Sequence, residues 1–400
     1  MTTEIDHRWL SEVVLERFKA AFRPGPIPLR PFNVVVGRNG SGKSTLLEAL
    51  QWLDTAIRRD AREACDRYYG ITDLINLRSQ TDVPYFKIGL TWKSEFPDLT
   101  GFFPLRYVVK VEEENATPFI SEEKFFGFAG EGRPLVHYLT SPGRGERIIE
   151  LETKIHFREP DRLALGLLGA TITPGVHSTL EFIQSFWSRA VFLRLSPNRL
   201  ANGSLATRKS FEPLLDEEGQ TLPALLNELT STQEKDLVAA IQEILPDIKS
   251  VFVSKSEQGR DTRVNYGLSE KMPFRGRSGK SEFLIPSWML SEGTRRITAI
   301  LALLVREPAP SLLCIEEIEN GLDPWTVVKI LQHLQSAAER GTQVILTTHS
   351  PWLLDHVPME SILQVRRIEG ETKYEPFASR EEIQAFAASV PPGTRYVNEP

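Results

Sequence analysis

Cysteine is scarce in this sequence, since the 400 residues include only Cys65 and Cys314. Cys314 lies in the apolar run 311–315, which is typical of a buried strand. Two cysteines in such settings do not indicate a disulfide framework, and they favour a reducing compartment. The N-terminal residues contain no basic segment followed by an apolar stretch. We therefore predict no signal peptide and expect a cytoplasmic protein.

Long hydrophobic runs are lacking as well. The longest one, 297–305, is far shorter than the roughly 20 residues that cross a bilayer. Heptad repeats and repeats of a fixed period are absent, which excludes a long coiled-coil arm and a repeat architecture. An excess of positive charge is missing too, because the formal net charge is −6. Net charge therefore does not indicate a nucleic-acid partner, although a local basic patch would allow one, and no membrane partner is expected.

Several catalytic patterns are also missing. The sequence contains neither the metal-binding pattern H-E-x-x-H nor the nucleophile pattern G-x-S-x-G, and it has no D-x-D pair. These absences argue against a zinc peptidase, a serine hydrolase and a self-contained nuclease.

One motif is complete. Residues 37–45 read GRNGSGKST and match the phosphate-binding pattern G-x-x-x-x-G-K-[ST]. The apolar run 32–36 precedes them and an amphipathic helical pattern follows over 46–57, so the motif has the strand, loop and helix context that it requires. Glycines let successive backbone N–H groups of such a loop turn toward phosphate oxygens. A glycine-rich surface turn is the plain alternative.

The side chains of this motif have distinct expected roles. Lys43 would reach the β and γ phosphates of a nucleotide, and Ser44 would hold Mg²⁺ through its hydroxyl, with Thr45 beside it. The predicted nucleotide-binding residues are Gly37, Arg38, Asn39, Gly40, Ser41, Gly42, Lys43, Ser44 and Thr45.

Apolar patterns outline the rest of the chain. A hairpin is predicted in which 13–18 turns at the Pro/Gly-rich segment 23–28 and pairs with 31–36. Short strand-like runs follow over 85–157, and two helices over about 222–245. Near the end, the spacing of Ser379 and Glu382 predicts a capping box that begins a C-terminal helix.

Two further buried strands are predicted to end in reactive side chains. The run 311–315 is followed by Glu316 and Glu317, and the run 343–346 leads to His349. In parallel α/β sheets, ligands bind at the carboxyl ends of the strands. Paired acids there can act on Mg²⁺ and on water, and a histidine beside a phosphate can stabilise its charge. The alternatives are solvated carboxylates at a helix start and a structural histidine.

Residues 290–294, LSEGT, precede an apolar helical pattern. They place Ser291 and Gly293 at a helix N-terminus, which is suited to receiving an anion. A serine that only caps the helix would produce the same pattern.

The order of these motifs resembles a known family. A phosphate loop, LSEGT, a strand with paired acids, GLDP and TTHS resemble the ABC-type ATPase head of the RecF/SMC group. The chain is also similar to the compact AAA-family ATPases of OLD-like proteins and of bacterial anti-phage systems. The resemblance covers about residues 10–48 and 245–358.

This resemblance implies a fold. It is an α/β P-loop NTPase of the ABC-ATPase head type, with a mostly parallel core sheet, an N-terminal antiparallel β element and an inserted β-rich and helical lobe. The expected limits are 1–84 for the N-terminal part of the head, 85–245 for the lobe, 246–370 for the C-terminal part and 371–400 for a final helix and tail.

The resemblance also implies cofactors and residue roles. ATP and Mg²⁺ would bind Lys43, Ser44 and Thr45. Glu316 would be the metal-binding acid, and Glu317 would polarise the attacking water. The remaining implied roles belong to Ser291 and Gly293, which would contact the γ-phosphate held by the opposite subunit, Asp323 at the dimer interface, His349 as the switch histidine, and Gln80 near Mg²⁺.

Two residues depart from the family pattern. Glu316 stands where an aspartate is usual, and Glu292 replaces a usual glycine of the signature. Glu292 would bring an acid close to the triphosphate of a partner, so hydrolysis is expected to be slow or to need a partner.

The favoured function is a regulatory ATPase of an anti-phage system that acts as a homodimer, with a larger oligomer left open, and controls a separate toxin or nuclease. A RecF-like DNA repair ATPase is the alternative. The ATP-binding subunit of a transporter fits poorly, because a long insertion separates the phosphate loop from the signature.

Overall fold

The computed structural model describes residues 8–78, 83–94, 104–128, 135–140, 146–149, 153–156, 160–166, 178–207, 212–258, 261–272 and 281–399. The chain forms two compact units. Unit 1 comprises Met1–Ser188 with Ala338–Pro400, and unit 2 comprises Arg189–Ala337. The domain limits expected from the sequence stay a prediction.

The described residues contain strands and helices in alternating groups. The strands are β1 (Arg8–Glu16), β2 (Pro26–Pro28), β3 (Phe32–Gly37), β4 (Tyr85–Ser94), β5 (Leu105–Glu114), β6 (Thr117–Phe128), β7 (Leu135–Thr140), β8 (Glu146–Ile149), β9 (Thr153–His156), β10 (Ala190–Leu193), β11 (Ser204–Leu205), β12 (Ile248–Gln258), β13 (Asp261–Lys271), β14 (Glu282–Pro286), β15 (Leu312–Ile315), β16 (Gln343–Thr348), β17 (Ile362–Ile368) and β18 (Glu371–Pro376). The helices are α1 (Lys43–Arg58), α2 (Ala61–Asp66), α3 (Ser178–Ser188), α4 (Pro197–Leu200), α5 (Leu222–Asn227), α6 (Ser231–Gln242), α7 (Glu292–Leu304), α8 (Pro324–Glu339), α9 (Pro351–Leu354), α10 (Glu381–Gln384) and α11 (Pro392–Val397).

Unit 1 contains a large antiparallel sheet with the strand order β2-β1-β4-β5-β6-β7-β8-β9. Its first strand alternates between buried and accessible positions, as expected for a strand with one face on the core. The strand-rich region predicted over 85–157 thus continues a sheet that begins at the N-terminus.

The parallel core strands of unit 1 carry the phosphate loop. β3 lies between β16 and β17 and is parallel to both, with Val35 opposite Thr347 on one side and Leu363 on the other. β18 pairs with β17 in the antiparallel direction. All six residues of β3 are buried, which is typical of a central parallel strand covered on both faces.

The predicted pairing of 13–18 with 31–36 is wrong. β1 forms its hairpin with β2, where Val13 is opposite Ile27, and its other neighbour is β4. The reason is that β3 has no polar face to offer an antiparallel sheet, so both of its edges pair within the parallel core instead.

Aromatic packing sets the position of α1. Trp52 is fully buried and meets the ring of Phe86 on β4 edge-on, with the ring centroids 5.0 Å apart. Phe86 makes a second edge-on contact with Phe18, at 5.2 Å. Each large apolar side chain buried in this way contributes about 1.5–3 kcal/mol. The N-terminus of α1, where the phosphate loop ends, is therefore tied to the antiparallel sheet.

Unit 2 contains a parallel pair, β10 and β15, in which Leu193 is opposite Ile315. It also contains the antiparallel strands β11-β13-β12, with β14 paired to β13. Thr230 and Gln233 form a capping box that begins α6. The two helices predicted over 222–245 correspond to α5 and α6.

The capping box predicted at Ser379 is wrong. Ser379 lies at the end of a short 3-10 turn and its hydroxyl donates to the carbonyl of Pro376 at 2.8 Å. Helix α10 begins after Arg380, which makes no side-chain cap. The turn occupies the serine hydroxyl before the helix starts.

The cysteines and helices agree with two of the absences noted in the sequence. Cys65 and Cys314 are both buried and form no disulfide, and burial raises the pKa of the Cys65 thiol to about 12. Among the helices of the described ranges, none is long and apolar enough to span a membrane.

Candidate functional site

The phosphate loop connects β3 to α1. Gly40 and Gly42 have φ angles of 73° and 108°, a region that other residues adopt only with strain. A methyl group on Gly37 would lie 2.3 Å from the carbonyl oxygen of Val365, so β17 passes too close for any side chain there. The three motif glycines thus have a backbone reason for their identity.

Strand β18 braces the loop from outside. The Thr372 hydroxyl donates to the carbonyl of Ser41 at 3.0 Å, and the Tyr374 hydroxyl donates to the carbonyl of Gly42 at 2.7 Å. Burial raises the pKa of Tyr374, so its hydroxyl keeps the proton that it donates. Because a trans peptide directs its N–H opposite to its carbonyl, these contacts turn the next N–H groups of the loop away from β18.

Lys43 is held at the start of the loop. Its ammonium donates to the carbonyls of Gly37 at 2.7 Å and Arg38 at 3.1 Å, and the residue is only 7% exposed. Ser44 is exposed and Thr45 is buried. The cation therefore lies at the carboxyl end of β3, where a bound phosphate would meet it.

His349 lies alongside the loop. It follows β16 directly, and β16 pairs in parallel with β3 so that Thr348 is opposite Val36. The next residues in register are His349 and Gly37. The structure thus brings the predicted switch histidine beside the phosphate loop within unit 1.

A cleft of about 660 Å³ borders the loop in unit 1. Its walls are 37–41 of the loop, 364–367 of β17, and Tyr396, Val397 and Glu399 from the C-terminal segment. The sequence analysis missed these C-terminal residues, because no local pattern near them indicates a ligand.

Glu399 is held by two arginines. It forms ion pairs with Arg380 and with Arg366, the latter at 3.6 Å. Burial acts to raise the pKa of Glu399, but hydrogen bonds from Arg380 and Gln364 and the arginine charges lower it overall.

The acidic pair lies in unit 2, at the end of β15. Glu316 and Glu317 line a cleft of about 470 Å³. The Arg194 Nε atom is 3.7 Å from an Oε atom of Glu316. The other lining residues are Leu195, Ser196, Glu217, Glu218, Arg296 and Asn320. Arg194 follows the buried strand β10 just as Glu316 follows β15, so the rule that pointed to Glu316 could also have found Arg194.

The signature segment begins α7. Ser291 is the N-cap residue, and its hydroxyl accepts a hydrogen bond from the N–H of Thr294 at 3.1 Å. Gly293 packs so tightly that a methyl group on it would lie 2.9 Å from the carbonyl oxygen of Gly321. The signature and the turn after the acids are thus in contact within unit 2.

Glu292 has a cationic partner. Its carboxylate lies 3.1 Å from the Nε atom of Arg296, one turn later on α7. Since Arg296 is only 9% exposed, this pair is partly shielded from solvent. The charge expected to repel a triphosphate is therefore compensated locally. Whether Glu292 slows hydrolysis stays a prediction.

Asp323 caps α8. It accepts hydrogen bonds from the N–H of Thr326 at 3.1 Å and from its hydroxyl at 2.6 Å. These bonds lower the pKa of Asp323. Gln80 lies outside the described residues.

Mg²⁺ fits the donor chemistry of the predicted ligands. No group of three or more His, Cys, Asp or Glu residues that could hold a metal occurs in the described part of the chain. Mg²⁺ does not need one, because it usually keeps several waters and binds one or two carboxylates together with substrate phosphates. Hydroxyl and carboxylate oxygens, as in Ser44 and Glu316, are the hard donors that it prefers.

A family profile matches both parts of the chain that carry these residues. The profile, described as "AAA domain, putative AbiEii toxin, Type IV TA system", matches residues 32–92 and 188–355, together more than half of the chain. A curated relative, "Energy-coupling factor transporter ATP-binding protein EcfA2" of Mycoplasmopsis synoviae (strain 53), is 41% identical over 68 residues. That segment is 17% of this chain and only 20% of the relative's own length.

Solved structures resemble the chain over most of its length. The SMC head bound to the C-terminal winged-helix domain of ScpA superposes with a TM-score of 0.53 at 14% identity, covering 92% of this chain and 97% of that one. An SMC head with an extended coiled coil from Pyrococcus furiosus covers 92% of this chain and 96% of that one, at 14% identity and a TM-score of 0.49. The first of these likenesses shows the fold.

The braced phosphate loop at the end of a parallel strand, the family profile and the SMC-head fold lead to one assignment. The chain belongs to the family described as "AAA domain, putative AbiEii toxin, Type IV TA system", and it is a P-loop ATPase of the ABC/SMC type.

Proposed function

We propose that this protein hydrolyses ATP with Mg²⁺ at two equivalent sites, each shared between two copies of the chain. The observation that carries the proposal is the phosphate loop itself, with Lys43 held at its start and His349 in register beside it. In each site, one copy supplies the phosphate loop and the other supplies Ser291 and Gly293 of the signature.

Each residue of the site has a physical role. Backbone N–H groups of the loop and Lys43 neutralise the phosphate charge. Ser44 and Glu316 hold Mg²⁺, which supplies further charge neutralisation when it is bound. Glu317 accepts a proton from the attacking water, and His349 donates to the γ-phosphate oxygens as negative charge redistributes.

The signature would report the state of the partner. The N-terminus of α7 carries unsatisfied N–H groups and the positive end of the helix dipole, which favour an anion. The γ-phosphate on the opposite copy would meet this end through Ser291 and Gly293, so two copies close around ATP. Loss of the γ-phosphate removes that contact and lets the pair open, which makes nucleotide the ligand that biases a two-state assembly.

The biological role that we propose is regulation in an anti-phage system. The ATPase would sense a phage component and hold or release a separate toxin or nuclease. Two observations support this: the family is described as a putative toxin of a toxin–antitoxin system, and the motifs resemble those of anti-phage ATPases. Asp323 and the residues near it would lie at the interface between copies.

A second candidate is a RecF/SMC-like DNA repair ATPase, because the fold is that of an SMC head. DNA would then stimulate hydrolysis, and the stimulation would fall steeply with salt as counterions compete for phosphate contacts. ATPase assays with and without duplex DNA, at two salt concentrations, separate the two roles.

Substitution of Glu317 tests the reaction. Glu317→Gln keeps the shape of the side chain but cannot accept the proton. We expect the variant to bind ATP normally, to hydrolyse it at least about 100-fold more slowly, and to shift toward a dimer on a sizing column. Glu257→Gln is a matched control on an exposed part of β12. An unchanged rate in Glu317→Gln would refute the assignment.

Mixing two inactive variants tests the shared site. Lys43→Ala should abolish ATP binding at its own loop, and Ser291→Ala should disable the signature. A mixture of the two should recover activity, because one of the two sites of a mixed dimer contains both intact halves. The capping loss in Ser291→Ala costs about 1 kcal/mol. Thr230→Ala, which removes the cap of α6, controls for that loss. No recovery in the mixture would count against a site shared between copies.

A further inference from the structure

The turn after the acidic pair holds Glu317 in an unusual conformation. Glu317 has a φ angle of 49°, in the left-handed region that costs a residue with a side chain about 1 kcal/mol or more. Its side chain accepts a hydrogen bond from the Asn320 Nδ2 atom at 2.6 Å. The backbone N–H of Asn320 donates to the carbonyl of Glu317 at 2.9 Å. Asn320 therefore contacts both the backbone and the carboxylate of Glu317.

The rest of the turn is anchored on two sides. Ile318 is 2% exposed and fixes the turn to the core of unit 2. The N–H of Leu322 donates to the carbonyl of Glu319 at 3.2 Å, which closes a second turn. Gly321 lies against Glu292 and Gly293 of the signature. Since the turn has these supports without the side-chain amide of Asn320, that amide is available for a more specific task.

We propose that Asn320 is a positioning residue for Glu317. Its amide holds one carboxylate oxygen, so the plane of the carboxylate is set and the other oxygen is presented to the attacking water. The last torsion of a glutamate side chain is broad, so without such a bond the carboxylate samples many orientations. An amide is neutral and orients the carboxylate without cancelling its charge, whereas an arginine would do both. This inference rests on the proposed role of Glu317 as the base.

Two substitutions at Asn320 test the inference. Asn320→Ala removes the donor, and Asn320→Asp keeps the size and the turn preference of asparagine but presents a carboxylate to Glu317. We expect both to lower kcat for ATP about tenfold or more while the KM for ATP stays within about twofold, because orientation affects the chemical step and not ground-state binding. Asn398→Ala is the control, since Asn398 also donates its amide to a local acceptor, Thr394, on an exposed turn.

A double variant separates orientation from general disruption. In Glu317→Gln the base is already lost, so adding Asn320→Ala should lower kcat no further. A full additional tenfold loss in the double variant would overturn the proposal, as would a single Asn320→Ala variant with normal kcat or with only a raised KM. If Asn320→Ala unfolds, Asn320→Asp decides alone.

The same set of proteins distinguishes this inference from the proposed function. A wild-type chain without ATPase activity, or a fully active Glu317→Gln variant, refutes the proposed function. An inactive Glu317→Gln variant together with fully active Asn320 variants leaves the proposed function standing and refutes only the role of Asn320.

Discussion

The side chain of Glu292 lies directly against Gly321. A methyl group on Gly321 would be 2.6 Å from Oε1 of Glu292 and 2.8 Å from its Cγ atom. Glu292 belongs to the signature segment, and Gly321 belongs to the turn that follows the acidic pair. The signature glutamate, which the sequence analysis treated only as an unfavourable charge, is therefore part of the packing between these two segments.

Gly321→Ala should destabilise the protein through two effects. Gly321 has a φ of 67°, and the added methyl group must displace Glu292. We expect a loss of about 1–3 kcal/mol in the free energy of unfolding, measured by chemical denaturation. Gly25→Ala isolates the backbone effect, because Gly25 has a φ of 86° with nothing within 4 Å of the added methyl group.

The contact with Glu292 can be measured separately. In a Glu292→Ala background, Gly321→Ala should cost only as much as Gly25→Ala, because the displaced side chain is gone. An equal cost of Gly321→Ala with and without Glu292 would show that the packing has no energetic weight.

Tyr374→Phe should loosen the phosphate loop. It removes the hydroxyl that donates to the carbonyl of Gly42, inside a residue that is 5% exposed. We expect a stability loss of about 1 kcal/mol and a weakening of nucleotide binding by up to about tenfold, because the loop carbonyl loses its partner. Binding of a fluorescent ATP analogue with Mg²⁺ gives the second value.

Tyr266→Phe is the matched control for that variant. The Tyr266 hydroxyl donates to the carbonyl of Leu200 at 3.0 Å, and the residue is 1% exposed. It should lose similar stability and bind nucleotide normally. Equal nucleotide affinity in the two variants would mean that β18 does not support the loop.

Glu399→Gln should show a pH-dependent loss of stability. The pKa of Glu399 is lowered in the folded protein from 4.5, so its ionised form stabilises the fold. That stabilisation is complete above about pH 4.5 and is lost as the pH falls through the folded pKa. At pH 7 we expect the variant to be less stable by about 1–3 kcal/mol, because the Arg380 side chain is only 5% exposed and loses a charged partner.

The comparison with wild type gives the sign. Urea denaturation at several pH values should show the gap between wild type and Glu399→Gln narrowing as the pH drops below about 4.5. A gap that stays constant or widens on acidification would contradict the ion pair as its source.

The parts of the site that the sequence predicted are those written in consecutive residues. The phosphate loop follows from its own glycines, a preceding apolar strand and a following helix, and the structure has all three at 32–58. Glu316 and His349 were located because each follows a short apolar run, and both runs are buried strands. Their roles in catalysis stay a proposal.

Pairings between distant segments were not readable in the same way. Alternation near 13–18 suggested a hairpin partner nearby, but the choice between β2 and β3 depended on which strand is buried on both faces. Likewise, the Ser379 hydroxyl could have capped a helix, and a 3-10 turn uses it first.

By itself, the sequence determined the phosphate-binding loop, the order of the family motifs and the absence of a disulfide framework, because each depends on residue types close together along the chain. Only the tertiary structure decided that Tyr374 supports Gly42, that Asn320 holds Glu317 and that Arg296 pairs with Glu292. The reason is that these side-chain contacts depend on which strand neighbours the loop and on how each turn is seated, and strand order and turn seating follow from burial of the whole core.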